Sequence, residues 1–300
     1  MTPRLSFIIP VYNPNIDIFR KCIKSIVAQG FKEWELVVVM DGENPAAEEI
    51  VRSEMNKKPN HFKIVTVPHG GAQKARNAGF EHTTGEFVVW FDCDCLLEPD
   101  AAYTWVSQFD KNADIDFIYG GYKFLYERGA IDSEPFDLYL LRVRNYISTC
   151  FPIRRSKAQK WNEELKSLQD WDFWLSATDA GCKGKFLPGY SFSTLYPEGG
   201  SISGEGCADS VWLDRVDAVK KLHNLPERDV CVSSITKKHE GVWLAKLIGA
   251  DYQDFPTYKP HKYKTIISVG FSFMPNVVDA QCSIFNDPNV KKVIFWTCDD

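Results

Sequence analysis

Hydrophobic and polar residues alternate along the first half of the chain in blocks that predict strands and helices in succession. Short apolar runs are typical of buried strands, and longer segments with apolar residues every three or four positions are typical of amphipathic helices. The pattern predicts strands at Leu5–Val11, Glu35–Met40, Phe62–Val67 and Phe87–Phe91, and helices at Ile16–Gln29, Ala46–Asn56, Gln73–His82 and Ala101–Asp110.

This alternation predicts an α/β fold with a mostly parallel sheet and helices on both faces. Parallel strands joined by helices use right-handed crossovers, and ligands bind beyond the carboxyl ends of the strands. Polar residues follow the predicted strands and are expected to converge at that edge: Asn13, Asp41, His69, Asp92 and Asp94.

The pattern is less regular after residue 110. It predicts strands at Asp116–Gly121 and Thr149–Ile153, helices at Phe136–Arg144, Asp170–Ala180, Ser210–Leu222 and His239–Ala250, and a final β-α-β pattern at Thr265–Val269, near Val277–Phe285 and at Lys291–Trp296. We expect one domain over residues 1–205 and a helical and β-α-β extension over residues 206–300. Because a β-α-β unit alone buries too little surface, the extension either packs on the first domain or begins a further α/β domain of a longer protein.

Composition and charge narrow the possible functions. A net charge of −5 argues against a nucleic-acid partner or an anionic membrane surface. No apolar run approaches the ~18 residues that span a bilayer, and the N-terminus does not resemble a signal peptide. The nine cysteines lack C-x-x-C spacing, which indicates reduced, buried thiols. We therefore expect a cytoplasmic protein without an integral membrane segment.

The candidate chemistry centres on Asp92-Cys-Asp94, directly after an apolar strand. Because side chains alternate along a strand, both carboxylates are expected on one side, with Cys93 and Cys95 facing away, so a shared zinc site is not expected. Two close carboxylates repel each other unless a cation lies between them, and Mn²⁺ or Mg²⁺ carrying a diphosphate meets that need. The alternative is that Asp92 caps a turn and Asp94 is solvated.

Three other motifs also have a structural alternative. Asp41 before glycine is either a ligand or a turn residue. Glycines after His69 expose N–H groups to an anion at a helix N-terminus, where Arg76 adds a positive charge; the alternative is a solvated arginine. Asp170 begins a helix among aromatic residues, either as a general base or as an ordinary N-cap.

In this order, the motifs resemble the inverting glycosyltransferases of family 2, which have the GT-A fold. The resemblance covers about residues 4–205 and rests on the segments Pro10–Asn13, Asp41–Gly42, Gly71–Gly79, Asp92–Asp94 and Gln169–Trp174. It implies a Rossmann-like sheet and inverting, metal-dependent transfer of a sugar to a hydroxyl of a saccharide or glycoconjugate acceptor. The implied donor is a nucleoside-diphosphate sugar of the UDP, GDP or dTDP type.

The resemblance also implies a role for each matching residue in nucleotide binding. Pro10, Val11 and Tyr12 would line the nucleotide pocket, Asp41 would bind the base or ribose, and Arg76 and Asn77 would support the base and the diphosphate.

For the metal and the chemistry, the resemblance implies that Asp94 binds Mn²⁺ or Mg²⁺ directly and that Asp92 contacts the metal or the ribose. Asp170 matches the catalytic base, although Gln169 replaces the glutamate that precedes it in the family. Glu198 stands where the family has a histidine near the metal, so it is a candidate further ligand.

Two other classes of protein remain open. Aspartyl-nucleophile phosphatases have a D-x-D-x-T motif after the first strand, whereas Cys95 takes the threonine position here and the pair follows the fourth strand. A non-catalytic module that binds carbohydrate or nucleotide is the second, although the D-x-D pair and Asp170 together argue against it. Trp161 and Trp171 near Asp170 either stack on a sugar or pack in the core. The sequence does not predict the oligomeric state.

Overall fold

The computed structural model describes residues 2–126, 129–195, 209–226, 230–234, 238–254, 265–269 and 292–296. Packing divides them into two compact units. The first contains the described residues up to Phe136 and those from Tyr146 to residue 195, and the second contains Asp137–Asn145 and the described residues from 209 onwards. The predicted domain boundary near residue 205 stays a prediction, because residues 196–208 lie outside the described residues.

The first unit is built on one mostly parallel sheet. Within the described residues, its strands are β1 (Leu5–Val11), β2 (Trp34–Asp41), β3 (Phe62–Val67), β4 (Phe87–Trp90), β5 (Cys95–Leu97), β6 (Phe117–Phe124), β7 (Ala130–Ile131), β8 (Ile153–Arg154) and β9 (Gly184–Thr194). Their order is β3-β2-β1-β4-β8-β6-β9-β5, with β7 paired to β6. The neighbours among β1 to β4 are parallel, as are β6 and β9, whereas β5, β7 and β8 add antiparallel pairs.

The described residues form eight α-helices, and some of these begin at a side-chain cap. They are α1 (Ile16–Val27), α2 (Pro45–Glu54), α3 (Ala72–Glu81), α4 (Ala101–Lys111), α5 (Leu138–Val143), α6 (Gln169–Asp179), α7 (Asp209–Leu222) and α8 (Lys238–Ile248). The side chain of Asn15 caps α1 by accepting two backbone N–H bonds, and that of Asn44 caps α2, which begins at Pro45, by accepting the N–H of Ala47.

Helix α3 lies unusually close to the sheet. It packs on β1 and β2, which are almost entirely buried. A Cβ atom added at Gly79 would lie 2.8 Å from Cγ2 of Val39, so only glycine allows this approach. The close packing fixes the position of the residues that α3 carries relative to the carboxyl ends of these strands.

The second unit contains a separate sheet. Its strands are β10 (Val230–Ser234), β11 (Asp251–Asp254), β12 (Thr265–Val269) and β13 (Lys292–Trp296), arranged β11-β10-β12-β13 with all pairs parallel. Helix α8 packs on β10, and α5 packs on β11. The helix predicted near Val277–Phe285 lies outside the described residues.

The structure confirms the predicted α/β fold with a mostly parallel sheet. The strands Leu5–Val11, Phe62–Val67 and Thr265–Val269 have their predicted bounds. The strand predicted at Thr149–Ile153 is wrong, since only Ile153–Arg154 pairs there. Because β9 and β5 are half-exposed or very short, their sequences carry no clear strand pattern, and neither was predicted.

Candidate functional site

Three parallel strands place the candidate residues at one edge of the sheet. Strand β1 lies between β2 and β4 and runs parallel to both. Tyr12 follows β1, Asp41 ends β2, and Asp92 comes two residues after β4. Because the carboxyl ends of parallel strands lie at the same edge of a sheet, Tyr12, Asp41 and Asp92 lie at the edge where we expected polar residues to converge.

Asp41 orders the loop that leads into α3. Its carboxylate is buried, accepts N–H bonds from Gly70 at 2.7 Å and Gly71 at 2.9 Å, and lies 3.0 Å from Nδ1 of His69. Gly71 has φ +95°, which favours glycine, and offers no capping side chain to the helix. The predicted contact of Asp41 with a base or ribose stays a prediction.

The rings of Tyr12 and His69 stack on each other at an exposed position beside this loop. Their ring centroids are 4.2 Å apart, their planes meet at 16°, and Tyr12 is 56% exposed. Pro10 is half-buried and Val11 is buried in the core. Of the three residues predicted to line a nucleotide pocket, Tyr12 is therefore the one with an exposed aromatic ring, and the predicted roles of all three stay predictions.

Arg76 places a fixed positive charge at the carboxyl edge of the sheet. Nη2 of Arg76 lies 2.9 Å from Oδ1 of Asp92, and its guanidinium lies 4.5 Å from the centre of the Trp161 ring. Only 8% of Arg76 is exposed, so the alternative of a solvated surface arginine is wrong. A buried charge needs such partners to offset the loss of water.

The two aspartates lie in a turn and not on a strand. Strand β4 ends at Trp90, and the backbone N–H of Cys95 donates to the carbonyl oxygen of Asp92 at 3.1 Å. Burial and the nearby charge of Asp92 raise the pKa of Asp94 to about 6. Two carboxylate groups in one turn, one of which opposes the ionisation of the other, fit a hard divalent cation such as Mn²⁺ or Mg²⁺.

The prediction that Cys95 faces away from the aspartates is wrong. Cys95 Sγ donates to Asp94 Oδ1 at 3.8 Å, and Cys150 Sγ donates to Asp92 Oδ2 at 3.8 Å. The turn, which sequence alternation does not foresee, redirects Cys95 towards the carboxylates. Cys150 escaped the sequence analysis because it is distant in sequence. The neighbouring thiol of Cys150, together with burial, raises the pKa of Cys95, which keeps the free thiol protonated.

Asp170 lies in the first turn of α6. Leu168 occupies the N-cap position with φ +58°, so the alternative that Asp170 is the N-cap is wrong. Asp170 Oδ1 accepts the N–H of Trp171 at 3.0 Å, which orients the carboxylate.

The amide of Asn77 bonds the backbone N–H and carbonyl of Trp161, both at 2.9 Å. Two adjacent residues of α3 therefore hold two parts of the site: Arg76 holds the Asp92 turn, and Asn77 holds the segment before α6.

The tryptophans near Asp170 belong to the core. Trp161, Trp171 and Trp174 are at most 3% exposed. Phe173 stacks on Trp161 with ring centroids 4.6 Å apart. Core packing therefore accounts for them, and the alternative of stacking on a sugar is wrong for this structure. Glu198 lies outside the described residues.

The strand order and the carboxylate-bearing edge define an α/β protein of the GT-A type, and solved structures share the fold. S. aureus TarS 1-349 in complex with UDP-GlcNAc superposes with a TM-score of 0.59 at 20% identity, over 73% of this chain and 66% of that chain. Mannosyltransferase PcManGT from Pyrobaculum calidifontis, in complex with GDP-Man and Mn²⁺, gives 0.52 at 20% identity, over 67% and 59%.

The chain belongs to glycosyl transferase family 2, whose family model matches residues 6–162. An uncharacterized glycosyltransferase from Rickettsia bellii is 30% identical over 190 residues, which is 58% of this chain and 27% of the relative. The uncharacterized glycosyltransferase YibD from Escherichia coli is 36% identical over 98 residues, 33% of this chain and 28% of the relative. The chain thus spans about a quarter of the length of these two curated relatives.

In the described part of the chain, no helix is both long and apolar enough to cross a lipid bilayer.

Proposed function

We propose that this chain transfers a sugar from a nucleoside-diphosphate sugar to a hydroxyl group of a saccharide or glycoconjugate acceptor, with inversion and with Mn²⁺ or Mg²⁺ as cofactor. Membership of family 2 supports sugar transfer. The observation that carries the proposal is the pairing of buried Arg76 with Asp92 in the same turn as Asp94. A fixed guanidinium beside two carboxylates suits a diphosphate bound together with a divalent cation.

In this proposal, the residues at the sheet edge bind the donor. The stacked rings of Tyr12 and His69 receive the base, and Asp41 holds their loop in place. Asp94, with Asp92, would hold the metal ion, and the bound ion would supply positive charge that neutralises negative charge on the leaving diphosphate. Arg76 donates a hydrogen bond to Asp92 and holds this carboxylate in place beside that site.

Asp170 is the proposed general base. Its carboxylate takes the proton of the acceptor hydroxyl, whose oxygen attacks the anomeric carbon on the face opposite the leaving diphosphate. The bond from the N–H of Trp171 fixes the carboxylate at the start of α6. Direct displacement of this kind inverts the anomeric configuration.

The donor class and the metal requirement are tested together. Thermal unfolding of the protein is measured with UDP, GDP and dTDP and their sugars, each with Mn²⁺, Mg²⁺ or a chelator. Ligands that stabilise the folded state raise the midpoint by mass action, so one nucleotide is expected to stabilise the protein only when the metal is present. Stabilisation that is equal in the chelator would overturn the metal requirement.

The stereochemistry and the rival classes require a transfer assay. The selected donor is incubated with a panel of saccharide acceptors, and NMR reports the anomeric configuration of the product. An inverted linkage is expected. A retained linkage contradicts the mechanism, binding without turnover indicates a non-catalytic module, and a covalent aspartyl-phosphate indicates a phosphatase.

We further propose that the extension over residues 206–300 belongs to a separate α/β domain. The parallel pairing of β10, β11, β12 and β13 supports this view, because such sheets are characteristic of that class.

A further inference from the structure

Two buried thiols lie directly behind the aspartate turn. Among the residues that the structure describes, one set of three side chains is grouped closely enough to hold a metal ion: Asp92, Cys95 and Cys150, with one ligand atom from each within 4.8 Å of the others. Both cysteines are free and at most 2% exposed. The proposed sugar transfer uses neither thiol.

Two of the three spacings among these atoms match tetrahedral zinc coordination. Sγ of Cys95 and Sγ of Cys150 are 3.8 Å apart. Two thiolates that share one zinc ion at about 2.3 Å with a tetrahedral angle have their sulfur atoms about 3.8 Å apart. Cys150 Sγ is 3.8 Å from Asp92 Oδ2, close to the roughly 3.5 Å expected for a sulfur and an oxygen on the same ion.

Asp94 lies beside this set of three but is not part of it. Its Oδ1 atom lies 3.8 Å from Cys95 Sγ. A rotation of its side chain when an ion binds would add a second oxygen donor to the two sulfur atoms and one oxygen atom of the set, and such donors suit a thiophilic ion better than Mg²⁺, which takes oxygen ligands.

We propose that Cys95, Cys150 and Asp92 form a binding site for a thiophilic divalent metal ion of the zinc class, and that the side chain of Asp94 turns in as a fourth ligand when the ion binds. Binding forms two metal–sulfur bonds and releases the two thiol protons to solvent, without any change in oxidation state. Because both aspartates are then held by the thiophilic ion, it excludes the hard cation from them. This exclusion rests on the proposed function, whereas the binding itself does not.

The first test uses wild-type protein and needs no enzymatic activity. The protein, reduced with a non-chelating phosphine, is titrated with Co²⁺ and separately loaded with one equivalent of Zn²⁺. We expect a thiolate-to-cobalt charge-transfer band that saturates at one equivalent, and X-ray absorption showing two sulfur atoms at about 2.3 Å from zinc. The absence of sulfur from the zinc shell would overturn the site.

Matched variants identify the ligands. Cys95→Ser and Cys150→Ser should each abolish the cobalt band and weaken zinc binding by about 100-fold or more. Cys182→Ser removes another buried thiol of the same unit, one that contacts Lys157, and should change neither. A cobalt band that survives in both of the first two variants would overturn the assignment, and the X-ray measurement on wild type stands even if a variant fails to fold.

Competition for the aspartates is a separate measurement. The electron paramagnetic resonance signal of free Mn²⁺ reports how much manganese the protein binds. One equivalent of Zn²⁺ should release bound Mn²⁺ from wild type but not from Cys150→Ser. If wild type binds Mn²⁺ and zinc releases none, the exclusion is wrong while the thiolate site stands. Failure of wild type to bind Mn²⁺ contradicts the proposed function alone.

Discussion

Nη2 of Arg76 lies 2.9 Å from Oδ1 of Asp92, so one oxygen of the first aspartate in the Asp-x-Asp turn is already engaged by a buried cation. The same guanidinium lies over the Trp161 ring. These contacts fix the direction of Asp92 before any ligand arrives. Asp94 has no such cation partner among its described contacts, which favours it as the direct ligand of a divalent metal ion.

Arg76→Lys tests this pair. Lysine keeps the charge but loses the planar group that bonds Asp92 and covers Trp161. We expect the free energy of unfolding to fall by about 1–3 kcal/mol and the affinity for a nucleoside diphosphate with Mn²⁺ to fall by about tenfold. Urea unfolding and titration calorimetry measure the two effects.

The control for that substitution is Arg20→Lys, which changes a more exposed arginine paired with Glu54 on α2. It should leave both quantities close to wild type, because exposed ion pairs contribute little. If Arg76→Lys behaves like this control, Arg76 does not organise the site.

Asp94→Ala tests the metal ligand. The substitution removes the carboxylate whose pKa burial and Asp92 raise, and with it the proposed direct contact to the ion. We expect the Mn²⁺-dependent gain in nucleotide affinity to disappear and the transfer rate to fall by about 100-fold or more. Asp114→Ala, at an exposed position after α4, is the control. If nucleotide affinity is the same with and without Mn²⁺ in both wild type and Asp94→Ala, the assignment of Asp94 as a metal ligand is wrong.

Asp170→Asn separates chemistry from binding. The amide keeps the shape of the side chain and can accept the N–H of Trp171, but it cannot take a proton from the acceptor. We expect the transfer rate to fall by about 10²–10⁴-fold while nucleotide affinity remains near wild type. Asp179→Asn changes an exposed residue at the other end of α6 and serves as the control. Full transfer activity in Asp170→Asn would remove Asp170 from the role of base.

The sequence predicted the parallel strands well because they are short and largely apolar, as in Leu5–Val11. It failed where a turn replaces regular alternation. The strand before Asp92 ends at Trp90, so the direction of Cys95 depends on a hydrogen-bonded turn that period-two reasoning does not describe. Contacts between distant segments, such as Cys150 with Asp92, depend on tertiary packing and have no local signal.

The same limit applies to Asp41. The sequence placed Asp41 at the end of an apolar strand. It did not predict the three groups of the His69–Gly71 loop that contact the carboxylate, because the pairing of β2 with β3 and the approach of α3 bring them there. Likewise, Trp161 and Trp171 are buried by packing that the local sequence does not reveal.

Asp41→Asn tests whether this loop supports nucleotide binding. An asparagine offers one acceptor oxygen to donors that now share two, and its NH₂ group would face a backbone N–H. We expect unfolding free energy to fall by about 1–3 kcal/mol and nucleotide affinity to fall with it. Glu43→Gln, two residues away and exposed, is the control. Unchanged stability in Asp41→Asn would show that the carboxylate does not hold the loop.

Glu35→Gln tests a buried carboxylate far from the proposed chemistry. Burial acts to raise the pKa of Glu35, but hydrogen bonds from Thr84 and Ser6 outweigh it, so the folded-state pKa lies below its ordinary value. A lowered carboxyl pKa adds stability that is present above the unfolded pKa and is lost as pH falls through the folded pKa.

The variant should therefore unfold more easily than wild type by about 1–3 kcal/mol at neutral pH. The difference in unfolding free energy between wild type and variant should shrink as pH falls below about 4. In that range the unfolded wild type takes up a proton on Glu35 before the folded protein does, which favours unfolding. Urea unfolding at a series of pH values measures it, with Glu49→Gln on the exposed side of α2 as the control. A difference that stays constant to low pH would mean that hydrogen-bond geometry, and not the ionised form of Glu35, provides the stability.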